Sequence, residues 1–248
     1  MKTEILYGIH PVFEALQARR RIFHELYVVS APTNPRIAKI VDMAKSAGIP
    51  VSFQQRPKIQ SLAGVDTHQG IAARVSPFPL MDFSELICDP PEPKSPRLFL
   101  LIDTIVDPRN LGALIRTALC ASVTGVIIPK DRSADPSPTV SKASAGALEH
   151  IRLATVVNMA AAIRELKKNN VWVIGLDKDG NRSLYENDFT GNIGMVVGGE
   201  ESGIRPLVKK HCDFLCFIPQ NGPVGALNAS VAGAIAMYEA YRQRHVAR

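Results

Sequence analysis

The sequence predicts an α/β protein built as two domains, and three observations carry the prediction. Through the C-terminal two thirds, short unbroken apolar runs alternate with helical stretches, the mark of a largely parallel sheet covered on both faces. Ahead of that region, residues 77–96 hold six prolines, a composition that favours a linker over a packed element. The 248 residues suffice for one large core or two modest ones, and the proline-rich interruption argues for two. The expected division is 1–76, a linker over 77–96, and 97–248.

In the first region, apolar residues at helical spacing predict helices near 10–18 and 36–47, and the runs at 26–29 and 71–75 predict strands. In the second, a strand at 98–102 precedes a helix over 111–121, and a strand at 125–129 precedes a Ser- and Ala-rich helix near 142–148. Further buried strands are expected at 171–176, 195–197 and 214–218. In a parallel sheet of this kind, ligands bind beyond the carboxyl ends of the strands. Three segments rich in Gly, Asn and acid follow strand ends, at 103–116, 198–203 and 219–230, and chemistry is expected there.

Composition narrows the function classes. Apolar content of 46% with 21% charged residues is that of a globular protein, and no apolar run approaches the roughly 20 residues of a membrane span. The start, MKTEILYGIH, is polar and acidic where a secretion signal is apolar, so a cytoplasmic protein is expected. The four cysteines are too few and too scattered for a disulfide framework. His211, Cys212 and Cys216 have no second ligand pair nearby in sequence, so no metal is expected. The formal charge of +6 is concentrated at the front: residues 1–76 carry ten Lys or Arg against five acids. Such an excess attracts a polyanion and makes its binding salt-dependent.

The first candidate segment reads DTIVDPRNLGALIRTA, from Asp103 to Ala118. Asp107 followed by Pro108 is a helix start, with the acid as N-cap and Pro at the first helical position. Asn110 then falls in the first turn, where backbone donors and polar side chains can meet an anion. Arg116 stands in an otherwise apolar stretch, where a charge needs a partner or a ligand. The second segment, VVGGEESGIRP, places Gly198 and Gly199 directly after a strand, permitting close backbone approach to a ligand, with Glu200 at the tip. The strand at 98–102 is not followed by GxGxxG, and GK[ST] does not occur, which argues against nicotinamide and nucleoside-triphosphate chemistry. In the third segment, IPQNGPVGALNASVAGAIAMY, Gly222, Pro223 and Gly225 shape a loop, and Asn228 or Ser230 can cap the helix beyond it. Gly233, costing about 1 kcal/mol against Ala inside a helix, implies tight packing there.

Taken in order, DPRNLGALIRTA, GGEESGI and IPQNGPVGALNASVAGAIAMYEA resemble the three signature motifs of the SpoU family of RNA 2'-O-ribose methyltransferases, within the SPOUT superfamily. YGIHPVFEAL and THQGIAARV are similar to the family's small ribosomal-protein-like substrate-binding domain. The resemblance implies a C-terminal SPOUT domain with a deep trefoil knot, S-adenosyl-L-methionine as cofactor, and a homodimer with its catalytic sites at the interface. Carried over by position, it implies catalytic roles for Asn110, Arg116, Glu200 and Asn228, and cofactor contacts at Gly198, Gly199, Ile218 and Leu227. IPKDRSA at 128–134 and the ending YEAYRQR imply guanosine in 23S ribosomal RNA as the methyl acceptor, with a transfer-RNA ribose or a non-catalytic assembly role as alternatives. Three positions depart from the family pattern: Ala226 stands where Ser is usual, and Glu201 and Ser202 replace Gly and Glu. A guanidinium deprotonates reluctantly. Arg116 is therefore expected to clamp a phosphate or the developing oxyanion, with Asn110 and Glu200 positioning it and Asn228 holding the cofactor loop.

Overall fold

Apolar runs become strands and amphipathic stretches become helices in a computed structural model that describes residues 2–31, 34–88, 95–200, 202–221 and 225–245. Along the chain come β1 (Glu4–Tyr7), α1 (Ile9–Ala18), β2 (Phe23–Val29), α2 (Pro35–Ser46), β3 (Val51–Gln54), α3 (Arg56–Ala63) and β4 (Ile71–Val75). After them lie α4 (Phe83–Cys88), β5 (Leu98–Asp103), α5 (Pro108–Cys120), β6 (Gly125–Pro129) and α6 (Pro138–Ala143). The remainder is β7 (Leu153–Val156), α7 (Met159–Lys168), β8 (Trp172–Leu176), β9 (Arg182–Ser183), β10 (Ile193–Gly198), α8 (Pro206–His211), β11 (Phe214–Phe217) and α9 (Ala229–His245). Among the described residues no helix is long and apolar enough to cross a membrane.

The chain forms two compact units, and each draws on two stretches of sequence. Residues 1–79 join 136–150 in the first; residues 80–135 join 151–248 in the second. The expected division placed 136–150 with the C-terminal half. Its side chains explain the difference. Glu149, 1% exposed, accepts from the buried Arg21 guanidinium at 2.7 and 3.1 Å and from the Ser141 hydroxyl at 2.7 Å, while Glu4 takes a further Arg21 donor at 2.8 Å. A charge as buried as Arg21 persists only when paired and hydrogen-bonded. Arg21 is thereby withdrawn from the basic surface that the front of the sequence promised.

The first unit carries a four-stranded sheet in the order β1-β4-β2-β3, with β4 antiparallel to both neighbours and β2 parallel to β3. Leu6, Val12, Leu26, Ile40 and Ile71 form its main core. The helix expected near 142–148 is cut short here. Positive φ at Ala145 (53°) and Gly146 (89°) turns the chain out of α6, and a 3-10 turn at Ala147–Glu149 follows.

The second unit holds seven parallel strands in the order β7-β6-β5-β10-β8-β11-β9. Its central strands β5, β6 and β10 are buried at every residue, as their unbroken apolar sequences required. The strand expected at 214–218 ends one residue earlier and is fully buried only at Cys216, because just two-residue β9 lies beyond it. The proline-rich stretch is partly structured. Leu86 and Ile87 of α4 enter the core beside Phe99, Ile127 and Ile163, while Pro90, Pro91 and Pro93 lie outside the described residues. At the far end of α9, Arg244 donates to the carbonyls of Phe189 (2.8 Å), Pro96 (3.0 Å), Arg97 (3.2 Å) and Gly191 (2.6 Å). Burial pushes its guanidinium down to about 10. Gly233 of α9 meets Leu114 of α5 and Val197 of β10, which is the tight packing its sequence implied.

Candidate active site

β5, β10, β8 and β11 run in one direction, so their carboxyl ends share an edge of the second unit. Gly198 stands level with Asp103 across the β10–β5 pair. The Asp103 carboxylate is fully buried and accepts the Arg205 backbone N–H at 3.0 Å and its guanidinium at 2.9 and 2.6 Å. This pair ties the loop after β10 to the end of β5. Between them, Gly199 and Gly203 exchange backbone hydrogen bonds at 3.1 and 2.9 Å, leaving Glu200 at the tip of a closed loop. Glu201 lies outside the described residues.

The glycines of this loop also make room for backbone. A Cβ on Gly198 would overlap the Gly203 carbonyl carbon and the Ile204 nitrogen, and one on Gly199 would sit 2.6 Å from the Thr104 carbonyl oxygen. Their missing side chains let the loop close on its own backbone and on the segment after β5.

Three of the four expected catalytic residues meet. Asp107 caps α5 through the Arg109 N–H at 2.8 Å, with Pro108 at the first helical position, and this sets Asn110 in the first turn. Asn110 Nδ2 donates to Glu200 Oε1, and Asn228 Nδ2 donates to Asn110 Oδ1 at 3.2 Å and reaches Glu200 Oε1 at 3.5 Å. Asn228 also caps α9: its Oδ1 accepts the Ser230 N–H at 2.9 Å, the Ser230 hydroxyl at 2.6 Å and the Val231 N–H at 3.4 Å. Of the two caps the sequence allowed, Asn228 is the one used.

Arg116 is not brought to this cluster. Leu111, Gly112, Leu114, Ile115 and Ala118 form the inward face of α5, and Arg116 falls on the exposed face. Its apolar neighbours in sequence are not its neighbours in space. It makes no hydrogen bond or ion pair with the described residues, so Asn110 and Glu200 do not position it within one chain.

Beside the cluster lies a cleft of about 350 Å³ lined by Gly198, Gly199, Glu200, Ile218, Ala226 and Leu227, among others. All four expected cofactor contacts therefore face one cavity, of a size within the usual range for small-molecule sites. Gly222 and Pro223 lie outside the described residues. Sequence reading missed Asp103, Arg205, Asp177 and Lys209. Asp177 and Lys209 form an ion pair in the cleft wall. Asp103 and Asp177 each close an apolar strand, and an acid at that place was the available signal. Cys216, also in the wall, is held against Asn187 Nδ2 at 3.2 Å, and Cys212 donates to the Val208 carbonyl at 3.4 Å. Burial pushes these thiols up, to about 11 for Cys216 and about 12 for Cys212.

Comparison with known proteins gives a consistent result. Residues 97–238 match the SpoU rRNA Methylase family, and residues 5–81 match the domain described as RNA 2'-O ribose methyltransferase substrate binding. A Xanthomonas campestris protein named 23S rRNA (guanosine-2'-O-)-methyltransferase RlmB is 38% identical over 243 residues, 98% of each chain. Its namesake from Escherichia coli K12 is 36% identical over 245 residues, 98% of this chain and 99% of the other. Among solved structures, the SpoU methyltransferase AviRb from Streptomyces viridochromogenes, in complex with AdoMet, superposes with a TM-score of 0.83 at 21% identity, covering 98% of this chain and 91% of that one.

Proposed function

The chain belongs to the SpoU family of RNA 2'-O-ribose methyltransferases, and from that premise we propose that it methylates the ribose 2'-hydroxyl of a guanosine in 23S ribosomal RNA. The observation that carries the reading is the meeting of Asn110, Glu200 and Asn228, one from each motif, beside the cleft lined by Gly198, Gly199, Ile218 and Leu227. The relatives that share nearly the whole chain bear that activity in their names.

The residues of the cleft fit S-adenosyl-L-methionine. Leu176, Ile218 and Leu227 offer apolar wall for an adenine, and Glu200 and Asp179 supply negative charge for a sulfonium. When bound, the cofactor supplies an electrophilic methyl group. The protein's part is to hold the acceptor hydroxyl in line, and positioning of this kind can contribute roughly 7–11 kcal/mol. Asn110 and Asn228 fix each other's amide orientation and anchor one oxygen of Glu200, while Glu200 Oε2 has no hydrogen-bond partner among the described residues and can accept from the ribose hydroxyl. Arg116 carries a guanidinium, a poor general base. It serves as a clamp for a phosphate or the developing oxyanion, and the proton leaves through water or that phosphate.

This role for Arg116 needs a second chain. In the homodimer we propose, the exposed face of α5 brings Arg116 to a partner's cluster; α9, packed along α5, exposes Val231 and Tyr238 as apolar surface for the contact. A trefoil knot is part of the same reading, supported by a sheet order in which β10 separates β5 from β8 and by the return of α9 onto both α5 and β10. So is a cytoplasmic location, where the proposed substrate is found. Residues 1–76 would form the RNA-binding part and 97–248 the catalytic part, with 136–150 packed into the first unit.

Incubation with methyl-labelled S-adenosylmethionine and total RNA, followed by mapping of the labelled nucleotide, tests the proposal. Label at the ribose of a guanosine in 23S ribosomal RNA is the expected result. Label in small RNA alone would move the substrate to transfer RNA, and binding without label would remove the catalytic reading.

A further inference from the structure

The first unit gathers several of its cations at one edge. β1 and β2 run antiparallel to β4, and β3 runs parallel to β2, so β1, β2 and β3 all end at one edge of the sheet. The helices α1, α2 and α3 start there, and β4 begins there after His68, Gln69 and Gly70. At the opposite edge Arg21 is neutralised by Glu4 and Glu149 and Arg74 by Glu25 at 3.1 Å, while Arg19 and Lys45, at the far ends of α1 and α2, are exposed. At the helix-start edge exposed cations gather without acid partners among the described residues. Arg56 and Lys58 are exposed and make no hydrogen bond or ion pair with described residues, and Arg36 reaches only the His10 ring, at 3.2 Å.

The first turns of α1, α2 and α3 contain no acid, and those of α2 and α3 carry Arg36, Arg56 and Lys58 instead. Cations at helix N-termini oppose the helix dipole, which favours an anion. Lys142 comes to the same edge from α6. Its ammonium donates to the neutral Gln69 Oε1 at 2.6 Å, beside the Ile9 N–H that the same oxygen accepts at 3.1 Å, and it pairs with no carboxylate among the described residues. Burial holds Lys142 below its ordinary range, a cost an arriving anion would offset. In the same loop His68 is fully buried; its Nδ1 accepts from Gly70 N–H at 3.1 Å and its Nε2 has no partner. The exposed Asp66 is the acid of that loop. Phe53, 52% exposed on β3 three residues before Arg56, adds a ring on which a base can stack.

We propose that this edge of the first unit, formed by Arg36, Arg56, Lys58 and Lys142 with Phe53, is where the phosphate backbone of the RNA substrate binds. The inference rests on the proposed function for the identity of the polyanion. It adds that a segment of the C-terminal half, through Lys142, belongs to the RNA surface.

A matched pair of double variants tests it in the full-length protein. Arg36→Gln/Arg56→Gln removes two charges from the helix starts, and Arg19→Gln/Lys45→Gln removes two exposed charges from the far ends of α1 and α2. Binding to a full-length 23S ribosomal RNA transcript is measured against salt, with thermal melting to verify folding. Each phosphate contact contributes about 0.7–0.9 to the slope of log K against log salt. The first pair should flatten the slope by about 1.4–1.8 and the second by less than about 0.5. Equal slopes for the two variants, or a wild-type slope in the first, would overturn the assignment. If the wild-type protein transfers no methyl group yet shows the edge-dependent slope, the catalytic reading fails and the surface stands. Methyl transfer with an unchanged slope sinks the surface alone.

Discussion

At the scale of single residues, the site depends on side chains that do two things at once. Asn228 caps α9 with its oxygen and joins Asn110 and Glu200 with its nitrogen. Its position in the third segment made the cap readable from sequence, but the contact to Asn110 spans 118 positions and no local pattern announces it. Arg116 illustrates the opposite case. The sequence isolates it among apolar residues, yet helical geometry turns it to the exposed face of α5, away from the cluster it was expected to join. The cysteines give a test at this scale. With thiols pushed up to about 12 and 11, Cys212 and Cys216 hold almost no thiolate at pH 8, whereas Cys88 and Cys120 are exposed. Iodoacetamide at pH 8, read by peptide mass spectrometry, should modify Cys88 and Cys120 and leave the other two until the protein unfolds. Early modification of Cys212 would show that the strand-end packing opens readily.

At the scale of elements, the strands of the second unit were legible because burial on both faces requires unbroken apolar runs, and β5, β6 and β10 have them. The loops were legible in composition and not in shape. The pair of glycines after β10 signals close approach, but only the fold reveals that the approaching groups are Gly203, Ile204 and Thr104. Gly198→Ala should therefore destabilise the protein by about 3 kcal/mol, since the added methyl meets backbone that cannot step aside. A denaturant titration measures this, and a loss below about 1 kcal/mol would mean the loop opens at little cost. The Ala145–Gly146 turn is the clearest failure of periodicity: Ser and Ala composition suits a helix, and two residues with positive φ end it.

At the scale of the whole molecule, the proline-rich stretch suggested two bodies, and hid that each compact unit is assembled from two stretches of chain. Nothing in residues 136–150 advertises their place in the first unit; it is set by the pairing of Glu149 with Arg21, 128 positions apart. The charge excess of the first 76 residues was visible, but that Arg21 and Arg74 are paired with acids and that Arg36, Arg56 and Lys58 gather at one edge is set by the fold. The central claim is that residues from three distant segments form one methyl-transfer site. Single-turnover transfer to 23S ribosomal RNA by Glu200→Gln at saturating S-adenosylmethionine, with cofactor affinity measured by calorimetry, tests it most directly. The account predicts a loss of about 10²-fold in rate, the scale of a misplaced reacting group, while the cofactor still binds. A variant that transfers methyl groups at the wild-type rate would contradict it.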